Sequence, residues 1–462
     1  MLPRAVRERL VGWLGPEGVV DDPGEVVVYE YDGSVDRARP DAVLFPRSTE
    51  EVVAIVRLAA ELGIPLVGRG SGTGLSGGSV PRYGGWVIVF TRMNRILELD
   101  LDNERVVVEP GVLNLDVTLA VADAGYFYAP DPSSQRSCTI GGNIAENAAG
   151  PHTLAYGVTA NHVLGLELVL ADGTVVTTGG KEVDLPGYDL TGLIVGSEGT
   201  LALVTKAVLR LMRRPEAAET ALAIYDSAED CGRTVSEITA RGITPVALEM
   251  LDGVMLRMVE EATGAGYPMD AEAVLLIELE GLGEAIAEQM RQIEQVCWQC
   301  GAREFRWARN AHERELLWKG RKNAFGAVGR VSPAYLVQDG MVPRTRIAPT
   351  LRYIREVADK YGLIISNIFH AGDGNMHPLI LFDPRKSGEL QKAIQAGQQI
   401  LERCIEEGGS ATGEHGIGME KIALMKRQFS EASLAMMARI KRLFDPELRL
   451  NPGKVLPEEY LH

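Results

Sequence analysis

Cysteine is scarce in this chain of 462 residues, and the five present are an odd number. That excludes a disulfide framework and fits a reducing cytoplasm. The single CxxC, Cys297-Trp-Gln-Cys300, has no second pair to complete a zinc or iron–sulfur site, and it closes an amphipathic run from about Glu284. Both are read as structural helix-end cysteines. No apolar run approaches the roughly 18 residues of a membrane span. Met1 to Gly15 is Arg-rich and amphipathic, but Glu8 and the missing small-residue cleavage site speak against a secretory signal, so export is not expected. Basic residues are outnumbered, 47 Lys and Arg against 63 Asp and Glu, for a net charge of −16. Such a balance argues against nucleic acid and against adsorption to an anionic membrane. Internal repeats, low-complexity tracts and long charge runs are also missing. Histidine is rare at seven, which makes its placement informative.

Three of those seven fall in one short window, in His370-Ala-Gly-Asp-Gly-Asn-Met-His377 and Gly413-Glu414-His415-Gly416. Ile364 to Phe369 and Pro378 to Phe382 are β-rich, and Ala371 to Met376 carries Gly, Asp and Asn turn chemistry, so the segment reads as a hairpin. With strands in register, His370 and His377 stand opposite each other on one face, where two imidazoles can chelate a metal ion. Glu414 can add an oxygen ligand, and His415 is placed for proton transfer. Asp373 and Asn375 are equally explained as turn formers.

The length allows two or three domains. Ser48-Thr-Glu-Glu51 is a capping box, and Val52, Val53, Ile55, Val56, Ala59 and Leu62 then follow helical spacing until Gly63 and Pro65. Strands are expected at Ile64 to Val67, Trp86 to Phe90, Arg105 to Glu109, Val163 to Leu170, Thr174 to Thr177 and Leu201 to Leu211. After the polar break at Arg213-Arg-Pro-Glu, strands at Thr220 to Tyr225, Ala273 to Glu280 and Tyr335 to Val342 alternate with helices. Those helices cover about Cys231 to Ala240, Glu284 to Cys300, Arg346 to Tyr361 and Leu390 to Glu407, an α+β pattern.

Gly68-Arg-Gly70-Ser-Gly72-Thr-Gly74-Leu-Ser76-Gly77-Gly78 places glycines at alternate positions directly after a strand. Such a loop can turn several backbone N–H groups towards one anion. No helical apolar pattern follows it, as a Rossmann site requires, and it lacks the Gly-Lys-Ser/Thr end of a Walker loop. A second small-residue stretch, Pro130-Asp-Pro-Ser-Ser134 with Cys138-Thr-Ile-Gly-Gly-Asn-Ile-Ala-Glu-Asn-Ala-Ala-Gly150, would let backbone approach a flat ring system. Together they fit a large cofactor.

These segments, with Gly196-Ser-Glu-Gly-Thr200-Leu, resemble the FAD-binding domain of the vanillyl-alcohol oxidase and p-cresol methylhydroxylase (PCMH) superfamily over about Pro40 to Met212. Trp318-Lys-Gly-Arg-Lys-Asn-Ala-Phe325, the histidine window and Phe444-Asp-Pro through Asn451-Pro-Gly-Lys454 are similar to the C-terminal domain of FAD-linked D-2-hydroxyacid dehydrogenases. The likeness to bacterial glycolate-oxidising members runs nearly end to end. It implies an α+β fold with a two-lobed PCMH-type FAD-binding domain at 40–213 after an N-terminal helical segment, 1–39. An α+β FAD-linked oxidase C-terminal domain with an antiparallel sheet would follow at 214–450, and 451–462 would return to the FAD site.

For the cofactor, the resemblance implies Arg69, Gly70, Ser71, Gly72, Thr73, Gly74 and Leu75 around the FAD pyrophosphate. Pro130, Asp131, Ser133, Thr139, Gly142, Asn143, Ala145, Val158, His162, Val163, Glu198 and Asn451 would surround the rest. Some members hold the flavin covalently through a His in the glycine-rich loop, and this loop has none, so non-covalent FAD is implied. It further implies His370, His377 and Glu414 as ligands of a divalent ion (zinc, manganese, iron or cobalt), His415 as base and Arg321 as clamp for the substrate carboxylate. By composition alone Arg321 is a solvated helix arginine, Trp318 and Phe325 are packing residues, and His152 is structural.

The implied reaction is oxidation of glycolate or D-lactate to the 2-oxo acid by hydride transfer to flavin. D-2-hydroxyglutarate oxidation, a non-catalytic electron relay and an alkyl-glycerone-phosphate-synthase-like transferase are the alternatives. Implied partners are a second FAD-domain subunit and an iron–sulfur subunit; no nucleic acid and no membrane insertion are expected, and the location is cytoplasmic or membrane-peripheral through those subunits.

Overall fold

Ser48 accepts the Glu51 N–H and Gly63 closes the far end in a left-handed conformation, so the helix expected from that pattern forms over Thr49–Leu62. The Glu51 carboxylate reaches back to the Arg47 N–H at 2.6 Å, one residue before the cap. The structure is a computed structural model and describes residues 1–182 and 186–461. The chain divides into two units: Met1–Ala149, Val158–Arg214 and Glu414–His462 make the first, Gly150–Gly157 and Pro215–Gly413 the second. The partition differs from the sequence boundaries in three places. Residues 1–39 are part of the first unit, 414–450 belong there too, and the eight residues Gly150–Gly157 leave it for the second unit.

The first unit carries a four-stranded sheet, a five-stranded sheet and a two-stranded ribbon of Tyr126–Phe127 with Met212–Arg213. In the four-stranded sheet, Leu66–Arg69 and Ala42–Leu44 both run parallel to Trp86–Val89. The five-stranded sheet is antiparallel, with Leu203–Arg210 between Arg105–Val108 and Val163–Val169. Leu66 is bracketed by the chain's end: its N–H donates to Arg449 O at 2.8 Å and its carbonyl accepts from Asn451 N–H at 2.7 Å. The small-residue stretch, read from sequence as backbone for close approach, contains a helix over Ile140–Glu146. Its Gly, Ala and Asn composition hid the apolar period.

The second unit is an eight-stranded antiparallel sheet. Its strands read as continuous apolar runs because both faces are covered. In Ala217–Tyr225, Ala221, Ala223 and Tyr225 enter one core with helices Ala228–Ala240, Gly283–Gln299, Ile347–Tyr361 and Glu389–Glu406. Leu222 and Ile224 enter another with helices Gly253–Thr263 and Ala311–Lys322. The expected strand Tyr335 to Val342 is broken into Ala334–Val337 and Gly340–Met341. Cys297 and Cys300 are buried at a helix end, without a disulfide.

Candidate active site

In the second unit the residues that matter share one sheet face. Ala247 and Leu251, Ile368, Leu379 and Leu381 all enter the core under helix Ala311–Lys322, so alternation puts Glu249, His370 and His377 on that same face. Thr220 and Glu278 join them, being even-spaced from Leu222, Val274 and Leu276. Across five neighbouring strands these polar residues form a row at one end of an apolar face. Arg314, Trp318 and Arg321, at i, i+4 and i+7, are the helix residues that meet it.

The hairpin forms, from Ile364–His370 and Asn375–Phe382, but its register corrects the expectation. His370 pairs with Asn375 and His377 with Ile368, so the two imidazoles are diagonal neighbours rather than direct opposites. The reason is a turn of four residues, with Gly374 at φ 86° and its α-carbon so close to Val342 O that a Cβ would lie 2.0 Å away. The rings still meet, centroids 5.2 Å apart and nearly perpendicular. Their nearest ligand nitrogens lie within 4.8 Å, a separation one metal ion can bridge.

Arg321 is not a solvated arginine; it is 2% exposed. Its Nε–H donates to Glu249 Oε2 at 2.6 Å, while Glu249 Oε1 lies 2.8 Å from His370 Nδ1. Burial alone would raise Glu249, yet the Arg321 charge and the hydrogen bonds from His370 and Arg321 outweigh it and hold the carboxyl below its ordinary range. His377 directs Nδ1 at the Gln338 carbonyl, 3.2 Å away. Asp339 accepts from Asn375 Nδ2 at 3.2 Å, from the Gly413 N–H at 3.1 Å and from the Thr412 hydroxyl. Gly413 is thereby pinned, with no room for a Cβ, which would sit 2.0 Å from Asn375 Nδ2. Glu414 follows it by one peptide bond.

Further along the row, Glu278 accepts from Thr220, from Arg314 Nε and Nη2 at 3.0 and 2.7 Å, and from Trp318 Nε1 at 2.6 Å. His152 Nε2 is 3.5 Å from it. Burial pushes this carboxyl up, but hydrogen bonds from His152 and Arg314 and the Arg314 charge hold it at about 2. His152 also stacks at a tilt on Trp318, and Tyr156 donates to Glu280 at 2.6 Å. The excursion Gly150–Gly157 is thus tied to the sheet and to the helix that carries Arg321. Trp318 packs in the core, and Asp373 accepts the Asn375 N–H as a turn former does.

The first unit holds every residue expected at the cofactor, and Glu414 and His415 as well. Arg69 ends the strand Leu66–Arg69, and Gly70 to Leu75 form the loop behind it, which is followed by no helix before Trp86. Gly72 has φ 71° and lies against the Arg69 guanidinium, which is buried, faces the Tyr29 ring and donates to Ser79 at 3.1 Å. A Cβ on Gly70 would lie 2.2 Å from Thr139 Oγ1. The loop therefore touches the start of helix Ile140–Glu146, where Thr139 is the cap and Gly142, Asn143 and Ala145 follow. Asn143 Oδ1 accepts from Asn114, which also donates to Pro130 O, each at 3.0 Å. Asp131 and Ser133 continue that segment, and His162, edge-on to Tyr128, lies between Val158 and Val163 at the start of a strand.

Glu198, at φ 53°, accepts the Ile417 and Gly418 N–H groups, each at 2.7 Å, and so fixes the turn after His415. Asn451 donates to Gly78 O and Glu198 O at 2.8 and 2.7 Å. Lys454 donates to Val80 O, and burial lowers it to about 8. Glu146 is raised well above its ordinary range by burial and by the charges of Glu198 and Asp32. A part-exposed backbone from Gly72 to Leu75, backed by a buried guanidinium and free of bulk, fits a pyrophosphate.

The sequence reading missed Glu249, Asp339 and Glu278. Only Glu249 and Glu278 left a trace, as charges inside apolar runs, which an unpaired carboxylate could not occupy.

Family models described as "FAD binding domain" and "FAD linked oxidases, C-terminal domain" match residues 40–179 and 214–455. The chain belongs to the FAD-linked oxidases, a class of flavin-dependent oxidoreductases. It is 45% identical over 434 residues to glycolate oxidase subunit GlcD of Escherichia coli (strain K12), covering 94% of this chain and 87% of that one. To the subunit of the same name in Bacillus subtilis (strain 168) it is 42% identical over 461 residues, 99% and 98% of the two chains. Among solved structures, 4-ethylphenol oxidase from Gulosibacter chungangensis superimposes with a TM-score of 0.80 at 22% identity, over 98% of this chain and 97% of that one. p-Cresol methylhydroxylase superimposes equally, with a TM-score of 0.80 at 18% identity over 97% of this chain and 96% of that one, and the two likenesses show the PCMH-type fold expected from the sequence. Among the described residues no helix is long and apolar enough to cross a membrane.

Proposed function

We propose that the protein oxidises a small 2-hydroxy acid, glycolate or D-lactate, to the 2-oxo acid, using non-covalent FAD and a divalent metal ion. The observation that carries this reading is the buried group of Arg321, His370 and His377: a cation for a carboxylate beside two imidazoles spaced as metal ligands. The two glycolate oxidase subunits at 45% and 42% identity support the same substrate class.

In this reading Arg321 binds the substrate carboxylate through its Nη groups while Glu249 holds its Nε–H, so the plane of the fork is set before substrate arrives. His370, His377 and Glu414 would hold the metal, whose chemistry is to make a hydroxyl more acidic. His415 removes the hydroxyl proton. FAD, when bound, supplies the two-electron acceptor for the α-hydrogen, which leaves as hydride. The cysteines of this chain match no cluster motif, so electrons leave the flavin for oxygen, a quinone, a soluble carrier or partner subunits, a second FAD-domain subunit and an iron–sulfur subunit among them. The reading puts the enzyme in the cytoplasm, reaching a membrane only through those subunits.

Anaerobic addition of glycolate, D-lactate, L-lactate and D-2-hydroxyglutarate to the FAD-loaded protein tests it. Glycolate or D-lactate is expected to bleach the flavin band, and prior chelation to prevent it. Flavin that stays oxidised with all four acids would overturn the proposal.

A further inference from the structure

Glu249 stands between two groups with different tasks, and its geometry decides the state of both. The His370 Nδ1 atom is approached by Glu249 Oε1 at 2.8 Å and by Arg321 Nη2 at 3.5 Å. They make opposite demands. A guanidinium only donates and would need a lone pair on Nδ1; a carboxylate only accepts and needs a proton there. The shorter contact is of charge-assisted length and the longer is at the limit of a hydrogen bond, so the carboxylate wins. His370 then carries its proton on Nδ1, and Nε2 is its lone-pair nitrogen.

The other oxygen, Oε2, takes the Arg321 Nε–H at 2.6 Å. With Glu249 unexposed on a central strand, neither partner can rotate without leaving a buried charge unmatched. His370 sits directly across from Glu249 in the strand register, so the arrangement is set by the sheet and not by a mobile loop. We propose that Glu249 is a positioning residue that prepares the metal ligand and the substrate clamp together, fixing the tautomer of His370 and the plane of Arg321 with one carboxylate. The inference rests on the proposed hydroxyacid-oxidase reading for the use of these groups, but the tautomer follows from the geometry alone.

The replacement Glu249→Gln gives a distinctive outcome. A Gln oxygen can still accept from Arg321, but its amide then faces His370 as a donor, which reverses the ring to the Nε2–H form. Outer-shell partners of metal-bound histidines are worth roughly 10- to 100-fold in metal affinity. The experiment uses full-length, FAD-loaded, metal-stripped protein labelled with 15N-histidine at pH 8.5, with the His370 signal assigned by its loss in His370→Asn. Co2+ uptake is then titrated against a competing chelator.

The wild type is expected to show Nδ1–H at His370, and the variant Nε2–H with Co2+ binding weakened about 10- to 100-fold. A wild-type Nε2–H signal, or unchanged Co2+ affinity in a folded Glu249→Gln protein, would overturn the assignment of Glu249. Wild-type protein that shows Nδ1–H yet takes up no Co2+ would sink the metal-dependent reading while supporting the tautomer assignment.

Discussion

Replacing Glu278 with Gln removes a carboxylate that ties helix Ala311–Lys322, strand Ala217–Tyr225 and the Gly150–Gly157 excursion together. Glu278 is held at about 2 against an ordinary value of 4.5. At about 1.4 kcal/mol for each factor of ten, that difference of about 2.5 corresponds to about 3 kcal/mol of stability. The sign follows from a depressed carboxyl. The contribution is complete above pH 4.5 and drains away as pH falls from 4.5 towards 2. Wild type and Glu278→Gln should therefore differ by about 3 kcal/mol in urea unfolding at pH 7 and converge as the buffer is taken below pH 4.5. Tryptophan fluorescence is a suitable probe because Trp318 donates to this carboxylate. A stability gap that is independent of pH between 7 and 3 would refute the electrostatic account, and a gap under about 1 kcal/mol at pH 7 would refute its size. Since the same helix carries Arg321, KM for glycolate should rise in the variant.

His415→Ala should lower turnover by about 10²- to 10⁴-fold with the flavin spectrum unchanged, as loss of a general base does; single-turnover reduction by D-lactate checks it. Gly70→Ala forces a methyl to within 2.2 Å of Thr139 Oγ1 and should loosen FAD by about 10-fold, the effect of overpacking by 1–3 kcal/mol, measured as flavin retained on gel filtration. Gly413→Ala puts a methyl against Asn375 and disturbs the Asp339 contacts that hold the residue before Glu414. Co2+ uptake should fall about 10-fold or more, while native-like uptake would show that this anchor is dispensable.

The sequence by itself determined the punctuation and the periods. The Ser48 cap and Gly63 stop bounded a helix correctly. The strands about the glycine-rich loop began and ended within a few residues of their expected places, because these signals are local. It also exposed the residues whose chemistry is conspicuous in any context, a histidine window in a chain poor in histidine. What it could not carry was whatever depends on the partner strand. The register that sets His370 diagonal to His377 is decided by a four-residue turn packed under Val342. The pairing of Glu249 with His370 and Arg321 joins residues 121 and 72 positions apart. Arg321 looked like a surface arginine because a helix reveals its buried stripe through apolar residues, and here part of that stripe is charged. Tertiary structure also moved Gly150–Gly157 out of the unit that flanks it, a choice made by contacts with Glu278, Glu280 and Gly372. Local chemistry fixed which side chains could act; burial and long-range pairing decided which of them meet, and which carboxyls are held below or above their ordinary range.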